Sequence, residues 1–331
     1  MAAKGPDNSF PLRLYATVFG LFLGLCIWKF GNPVILDNKI SVPVTAQEYL
    51  NEAWPIHWAN WLWLSLAAIG ALLALQNRNS FASKWLWLLP LAWLGWQWIA
   101  ATRTVRPDLT ASTLWQFSGC VGCYFLGALV FGRERSWRWL LIGVLAAFTF
   151  CLVRAVDQRL FEFPASYQSL MEGQQNGWTN YPPAMVEEMR NDQVIITTNG
   201  VEMANPVILT KFAKGRVSGT LVYPNALAQL ILLLWPMALV LAFGATRALR
   251  PLVRWAAIIT TVSLGALAFF WTGSKLGWLI GIALVGVILL RLKGSKRLKL
   301  VAIAAVLVLG LGVFVVRFHH YFAAGATSVG A

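Results

Sequence analysis

Apolar runs recur along the chain at roughly 12–30, 56–76, 85–101, 113–131, 139–156, 219–244, 255–272, 276–291 and 300–317. Each is near the about 20 residues that a helix needs to cross bilayer hydrocarbon. The pattern predicts an all-α, polytopic membrane protein of about nine transmembrane helices. The first run follows Lys4 and Arg13 and carries no small-residue cleavage site after it, so it reads as a retained span. The chain then divides into four regions: a five-span bundle over 1–156, a long polar segment over 157–218, four further spans over 219–317, and the start of another polar segment over 318–331.

The polar segments carry their own local signals. In "TAQEYLNEAWP", Thr45 and Glu48 have capping-box spacing and Pro55 ends the run, which predicts a short interfacial helix with Tyr49, Leu50 and Trp54 toward lipid. In 157–218, "PPAMVEEMRND" predicts a short helix with Pro183 near its start. Asn199-Gly200 between β-prone residues predicts a hairpin. A segment of this length is usually functional or flexible, and these signals predict an ordered cap.

Composition sharpens the class. Apolar residues make up 58% and charged residues 12%, against about 25% charge in a soluble domain. Mean hydropathy is +0.62. The 18 Trp suit a protein with many membrane interfaces. With the N-terminus placed in the cytoplasm, the inner segments hold 15 of the 27 basic residues against two acids, Asp7 and Glu134. The charge is then +13 inside and +1 outside, the positive-inside bias. The high pI is therefore a topology signal and does not point to nucleic acid, because the cations are dispersed among short turns.

Cys26, Cys120, Cys123 and Cys151 all fall in apolar runs. Cys120 and Cys123 form a C-x-x-C without a second Cys/His pair. The spacing of Gly119, Cys123 and Gly127 instead predicts close helix packing by small residues.

The sixth and eighth spans would both start on the outer face. A helix N-terminus carries unpaired N–H groups and about half a positive charge, so a nearby cation is disfavoured unless an anion is present. Yet Lys211, Lys214 and Arg216 precede the sixth span, and Lys275 opens the eighth after Thr272, Gly273 and Ser274. Cations plus first-turn amides make a phosphate or pyrophosphate site. Pro224 is tolerated in the first turn of the sixth span, and Asn225 can cap it or present its amide to a ligand. The alternative is that Arg216 and Lys275 reach lipid headgroups and Asn225 only caps. That choice turns on whether the two helix starts are neighbours. His57 between aromatic residues suits interfacial packing, and His319 and His320 lack the further ligands of a metal site. Arg154, Asp157 and Arg159 form one other polar cluster. No P-loop, zincin motif or nucleophile elbow occurs.

"GRVSGTLVYPNALAQ" resembles the signature of the O-antigen ligase and polymerase family, an Arg, a Gly and then Pro-Asn-x-x-Ala at an outer helix start. "WTGSKLGWL" resembles a second family segment, with Lys275 where many members have Arg. "AAGATSVGA" resembles the lead-in to a third. The resemblance implies glycan transfer from an undecaprenyl-pyrophosphate carrier at the periplasmic face of the bacterial inner membrane, without metal or cofactor. A ligase passes the glycan to a lipid A–core sugar in lipopolysaccharide synthesis. A polymerase passes it to another repeat unit, and a related enzyme to a protein hydroxyl. It implies that Arg216 and Lys275 act on the pyrophosphate, with Lys214, Tyr223, Asn225, Thr272 and Ser274 binding the donor. Lys275 keeps the charge but lacks the planar fork for bidentate contact. The family would place another outer loop, with an acceptor-activating His, beyond Ala331. The expectation is therefore an incomplete gene product that holds the carrier-binding half and is inactive as it stands. A flippase of lipid-linked glycan is the reading from a different class. The chain shows no repeat of the kind transporters carry, and its polar residues gather at one face.

Overall fold

The computed structural model describes residues 10–33, 37, 40–77, 85–131, 137–198, 200–291 and 295–323. Helix accounts for 81% of the structure, and among the described residues seven helices are long and apolar enough to cross a membrane. The chain is thus a helical, multi-pass membrane protein. The third and eighth expected spans are helices of 17 residues each, Trp85–Ala101 and Lys275–Arg291, at the short end of the spanning range. The chain divides into two compact units, Met1–Arg154 with Thr220–Val222, and Ala155–Gly219 with Tyr223–Ala331.

The first unit contains α1 (Phe10–Trp28), α2 (Ala46–Asn51), α3 (Ile56–Asn77), α4 (Trp85–Ala101), α5 (Pro107–Phe131) and most of α6 (Trp137–Asp157). Its core gathers Leu12, Tyr15, Phe19, Phe22, Leu66, Leu126 and Val130. Tyr15 is buried because its hydroxyl finds a partner, donating to Leu66 O at 3.0 Å. Close helix approach occurs where α1 meets α6. A Cβ on Gly20 would collide with the Leu140 backbone, and one on Gly143 with the Gly20 backbone. This corrects the expectation for α5: Gly119 and Gly127 face open space. Cys123 instead accepts from Trp63 Nε1 at 3.2 Å, and Gly122 lies under the Trp63 ring.

The capping box forms as read. Thr45 Oγ1 accepts from Glu48 N, and the Glu48 carboxylate accepts from Thr45 N at 3.4 Å and also from Val44 N at 2.7 Å. The Val44 N–H and then the Thr45 hydroxyl hold the Glu48 carboxyl below the usual range. Tyr49 and Leu50 are exposed, and Trp54 packs edge-on against Phe30 and Tyr49. Lys29 is buried just beyond α1. Its ammonium donates to Leu50 O at 2.6 Å and Glu52 O at 2.9 Å, and lies over the Trp28 and Trp54 rings. It thereby satisfies carbonyls at the end of α2 that the short helix cannot bond itself. His57 approaches Asp37 at 3.9 Å and meets Trp58 edge-on, which matches a packing role. The Thr220 hydroxyl donates to Ile27 O at 2.7 Å.

The second unit begins without the expected break at 157. The helix continues through a π-turn at Gln158–Glu162 into α7 (Phe163–Gln175). Then come α8 (Pro183–Asn191), β1 (Ile195–Thr198), β2 (Val201–Ala204) and α9 (Pro206–Lys214). Pro183 opens α8, where its missing N–H is not needed. The strands pair antiparallel, Ile195 with Ala204 and Thr198 with Val201. Gly200 takes φ +77°, and Asn199 lies outside the described residues. Leu170, Trp178, Val186, Ile195 and Ala204 form the core of this polar cap. Four long helices complete the unit: α10 (Pro224–Ala245), α11 (Pro251–Thr272), α12 (Lys275–Arg291) and α13 (Lys296–Ala323). The α10 helix packs on both α11 and α12, and α12 on α13. The side chains of Arg317, His319 and His320 and the segment 324–331 lie outside the described residues.

Candidate functional site

The site is built where α9, α10, α11 and α12 begin or end. Asn205 caps α9 by accepting from Val207 N at 3.0 Å. Gly215 ends that helix at φ +58°, a left-handed turn that glycine adopts without a Cβ penalty. The chain then reverses into Arg216. Its Nε donates to Thr272 O at 2.8 Å, and its Nη2 donates to Asn225 Oδ1 at 3.1 Å. The next residue, Val217, is buried and donates its N–H to Trp271 O at 3.2 Å. The guanidinium therefore lies at the end of α11, whose carbonyls favour a cation. It also reaches the first turn of α10.

The other half is the tight α11–α12 corner. Gly273 takes φ +58°, and a Cβ there would approach Arg216 Nε to 3.2 Å. Glycine takes this left-handed turn without strain and leaves room for the Arg216 side chain across it. The buried Thr272 hydroxyl donates to Phe269 O at 2.7 Å and accepts from Ser274 N at 3.3 Å. Ser274, also buried, caps α12 by accepting from Gly277 N at 3.1 Å. Lys275 is the exposed first residue of α12.

The two helix starts are neighbours. A Cβ on Gly277 of α12 would lie 3.1 Å from Ala228 Cβ of α10. This juxtaposition could not be read from the sequence. Arg216, Asn225, Thr272 and Ser274 are joined by direct bonds. Tyr223 and Lys214 are exposed and form no side-chain hydrogen bond to that cluster among the described residues. Asn225 does not cap α10, as expected for it in one reading. The N-cap position falls on Tyr223, whose side chain makes no capping bond, and the Asn225 oxygen is turned to Arg216.

Arg216 is half-buried and oriented by the protein, unlike a side chain extended toward headgroups. It carries five N–H donors, of which these bonds use two, leaving three. No Asp or Glu follows Glu202, while thirteen Lys and Arg lie beyond it. The cluster thus has no carboxylate on its own helices to compete with an incoming anion. Just within the helices lies an apolar cavity of about 510 Å³, lined by Ile231, Trp235, Phe269, Trp278 and Gly281 among others. Trp278 donates its backbone N–H to Ser274 O, so the cavity wall starts one turn from the cluster. Its indole packs at a tilt against Phe269, with ring centroids 5.7 Å apart. The arrangement can hold an anionic head against Arg216 and the α12 amides, with an apolar chain beneath it.

Among the described residues, no three His, Cys, Asp or Glu come together as a metal site. Sequence reasoning named Gly273 only as part of the lead-in to the eighth span and missed Gly277; in both, the lack of a side chain permits the contacts. Their signal is weak, since a glycine in an apolar run is common. Scans against protein families, curated proteins and solved structures return no match to this chain.

Proposed function

We propose that this protein transfers a glycan from an undecaprenyl-pyrophosphate carrier to an acceptor hydroxyl at the periplasmic face of the bacterial inner membrane. The activity is of the O-antigen ligase type, with a lipid A–core sugar as acceptor. The observation that carries the reading is Arg216, fixed between the end of α11 and the start of α10 with three donors left. In this reading all nine apolar runs cross the membrane, the N-terminus is cytoplasmic and the α10 and α12 starts face the periplasm.

The chemistry follows from charge. The acceptor oxygen bonds to the anomeric carbon, the bond from that carbon to the phosphate oxygen breaks, and the electron pair leaves with the pyrophosphate. The acceptor proton passes to a base, a role the family resemblance gives to a His in a later outer loop. Negative charge grows on the leaving group, so donors already held in place stabilise the transition state without reorganising. Arg216, Lys275 and the first-turn amides of α12 supply that field. The cavity between α10 and α13 takes the start of the polyprenyl chain.

The test is transfer from a lipid-linked glycan in proteoliposomes, run on the full reading frame. Arg216→Ala should lower it roughly a hundredfold. Normal transfer by that variant would remove the pyrophosphate role, and transfer with no dependence on the carrier's pyrophosphate would overturn the whole reading.

A further inference from the structure

The loop that carries Arg216 has a second anchor, on the π-turn before α7. Gln158 is buried there, and its amide reads the loop backbone. Its Oε1 accepts from Ser218 N at 3.1 Å and from Gly219 N at 2.9 Å. Its Nε2 donates to Gly219 O at 3.0 Å. Gly219 takes φ +63°, so both of its peptide groups are turned toward one side chain. Two loop donors and one loop acceptor are met at once, a set that neither an ionised Glu nor a hydrocarbon side chain can satisfy. The neighbouring Arg159 covers Gly215 from the same turn, where a Cβ would overlap its guanidinium.

A π-turn holds one more residue per turn than an α-helix and so re-aims the side chains along it. Here it directs consecutive side chains, Gln158 and Arg159, to opposite ends of one five-residue loop. On its other side the loop is held by Val217 N to Trp271 O and by Arg216 itself. The Gln158 side chain directs its hydrogen bonds, among the described residues, to the backbone at 218–219 and not to the guanidinium. Its effect passes through the backbone at 218–219.

We propose that Gln158 is the positioning residue for Arg216, fixing the register of the 215–219 loop so that the guanidinium bridges Thr272 and Asn225. The role rests on the reading of Arg216 as a pyrophosphate ligand. The experiment uses the full chain in lipid nanodiscs, with inorganic pyrophosphate as the probe. Wild type, Gln158→Met, Gln158→Glu and Arg216→Ala are compared for affinity, unfolding temperature and amide exchange at 217–219.

Gln158→Met should bind pyrophosphate on the order of tenfold more weakly, with faster exchange at 217–219 and little change in unfolding temperature. Gln158→Glu should match it at pH 8 and recover toward wild type at pH 5, beyond any pH dependence of wild type. A protonated carboxyl regains the donor to Gly219 O, and burial favours that neutral form. Wild-type affinity in Gln158→Met, or no acid recovery in Gln158→Glu, would overturn the proposal. Equal pyrophosphate binding by wild type and Arg216→Ala would instead sink the functional reading. Exchange then decides the clamp alone: protection lost in Gln158→Met supports it, and unchanged protection refutes it.

Discussion

Replacing Arg216 with Lys separates charge from geometry. The guanidinium spends two donors on Thr272 O and Asn225 Oδ1 and keeps three for a ligand. An ammonium has three donors on one nitrogen and cannot bridge both partners while facing an anion in a fork. A hydrogen bond to a charged group contributes about 1.5–3 kcal/mol, and half-exposure argues for the lower end. Arg216→Ala loses two such bonds to pyrophosphate, about 3 kcal/mol, or roughly a hundredfold in kcat/KM. Arg216→Lys keeps one and should lose roughly tenfold. Transfer in proteoliposomes measures both, at donor concentrations well below KM. Unfolding temperature is followed in parallel, because Thr272 O loses its partner in the Ala variant. If Lys works as well as Arg, the oriented fork is not used. If Ala does, the site binds no leaving group.

Three further outcomes check the packing and the local electrostatics. Gly277→Leu should destabilise the protein by about 1–3 kcal/mol, seen in thermal unfolding, because even the first carbon of a side chain there would lie 3.1 Å from Ala228 Cβ. Gly281→Trp, which puts bulk into the apolar cavity beside Phe269, should raise KM for the lipid-linked donor while leaving inorganic pyrophosphate binding unchanged; an equal loss in both would separate the cavity from the carrier's chain. Glu48 is held below its ordinary 4.5 by Val44 N–H and the Thr45 hydroxyl. Its capping contribution is therefore complete above that value and is lost as pH falls through its lower folded value. Amide exchange at Val44 and Thr45 should quicken in that acid window, and Glu48→Gln should remove the dependence.

Some features were legible because their causes lie within one turn of chain. Thr45 with Glu48, Pro183 at the start of α8, Pro224 at the start of α10 and Ser274 ahead of Lys275 need only neighbouring residues to be understood. The long polar segment was less legible. Residues 158–175 extend α6 because their side chains tolerate helix, and nothing in the local pattern marks the π-turn at Gln158.

The apolar runs by themselves determine that the chain is helical and crosses a membrane, since an unpaired backbone group in hydrocarbon costs several kcal/mol and a helix pairs nearly all of them. Sequence also determines that cations stand before two helix starts. Which helix lies beside which was decided only in three dimensions. Lipid is as apolar as leucine, so a helix that is apolar all round gives no preferred face. Small residues and polar contacts then choose the partners. Gly20 and Gly143 were chosen over Gly119 and Gly127, and Arg216 found Thr272, 56 residues away in the chain.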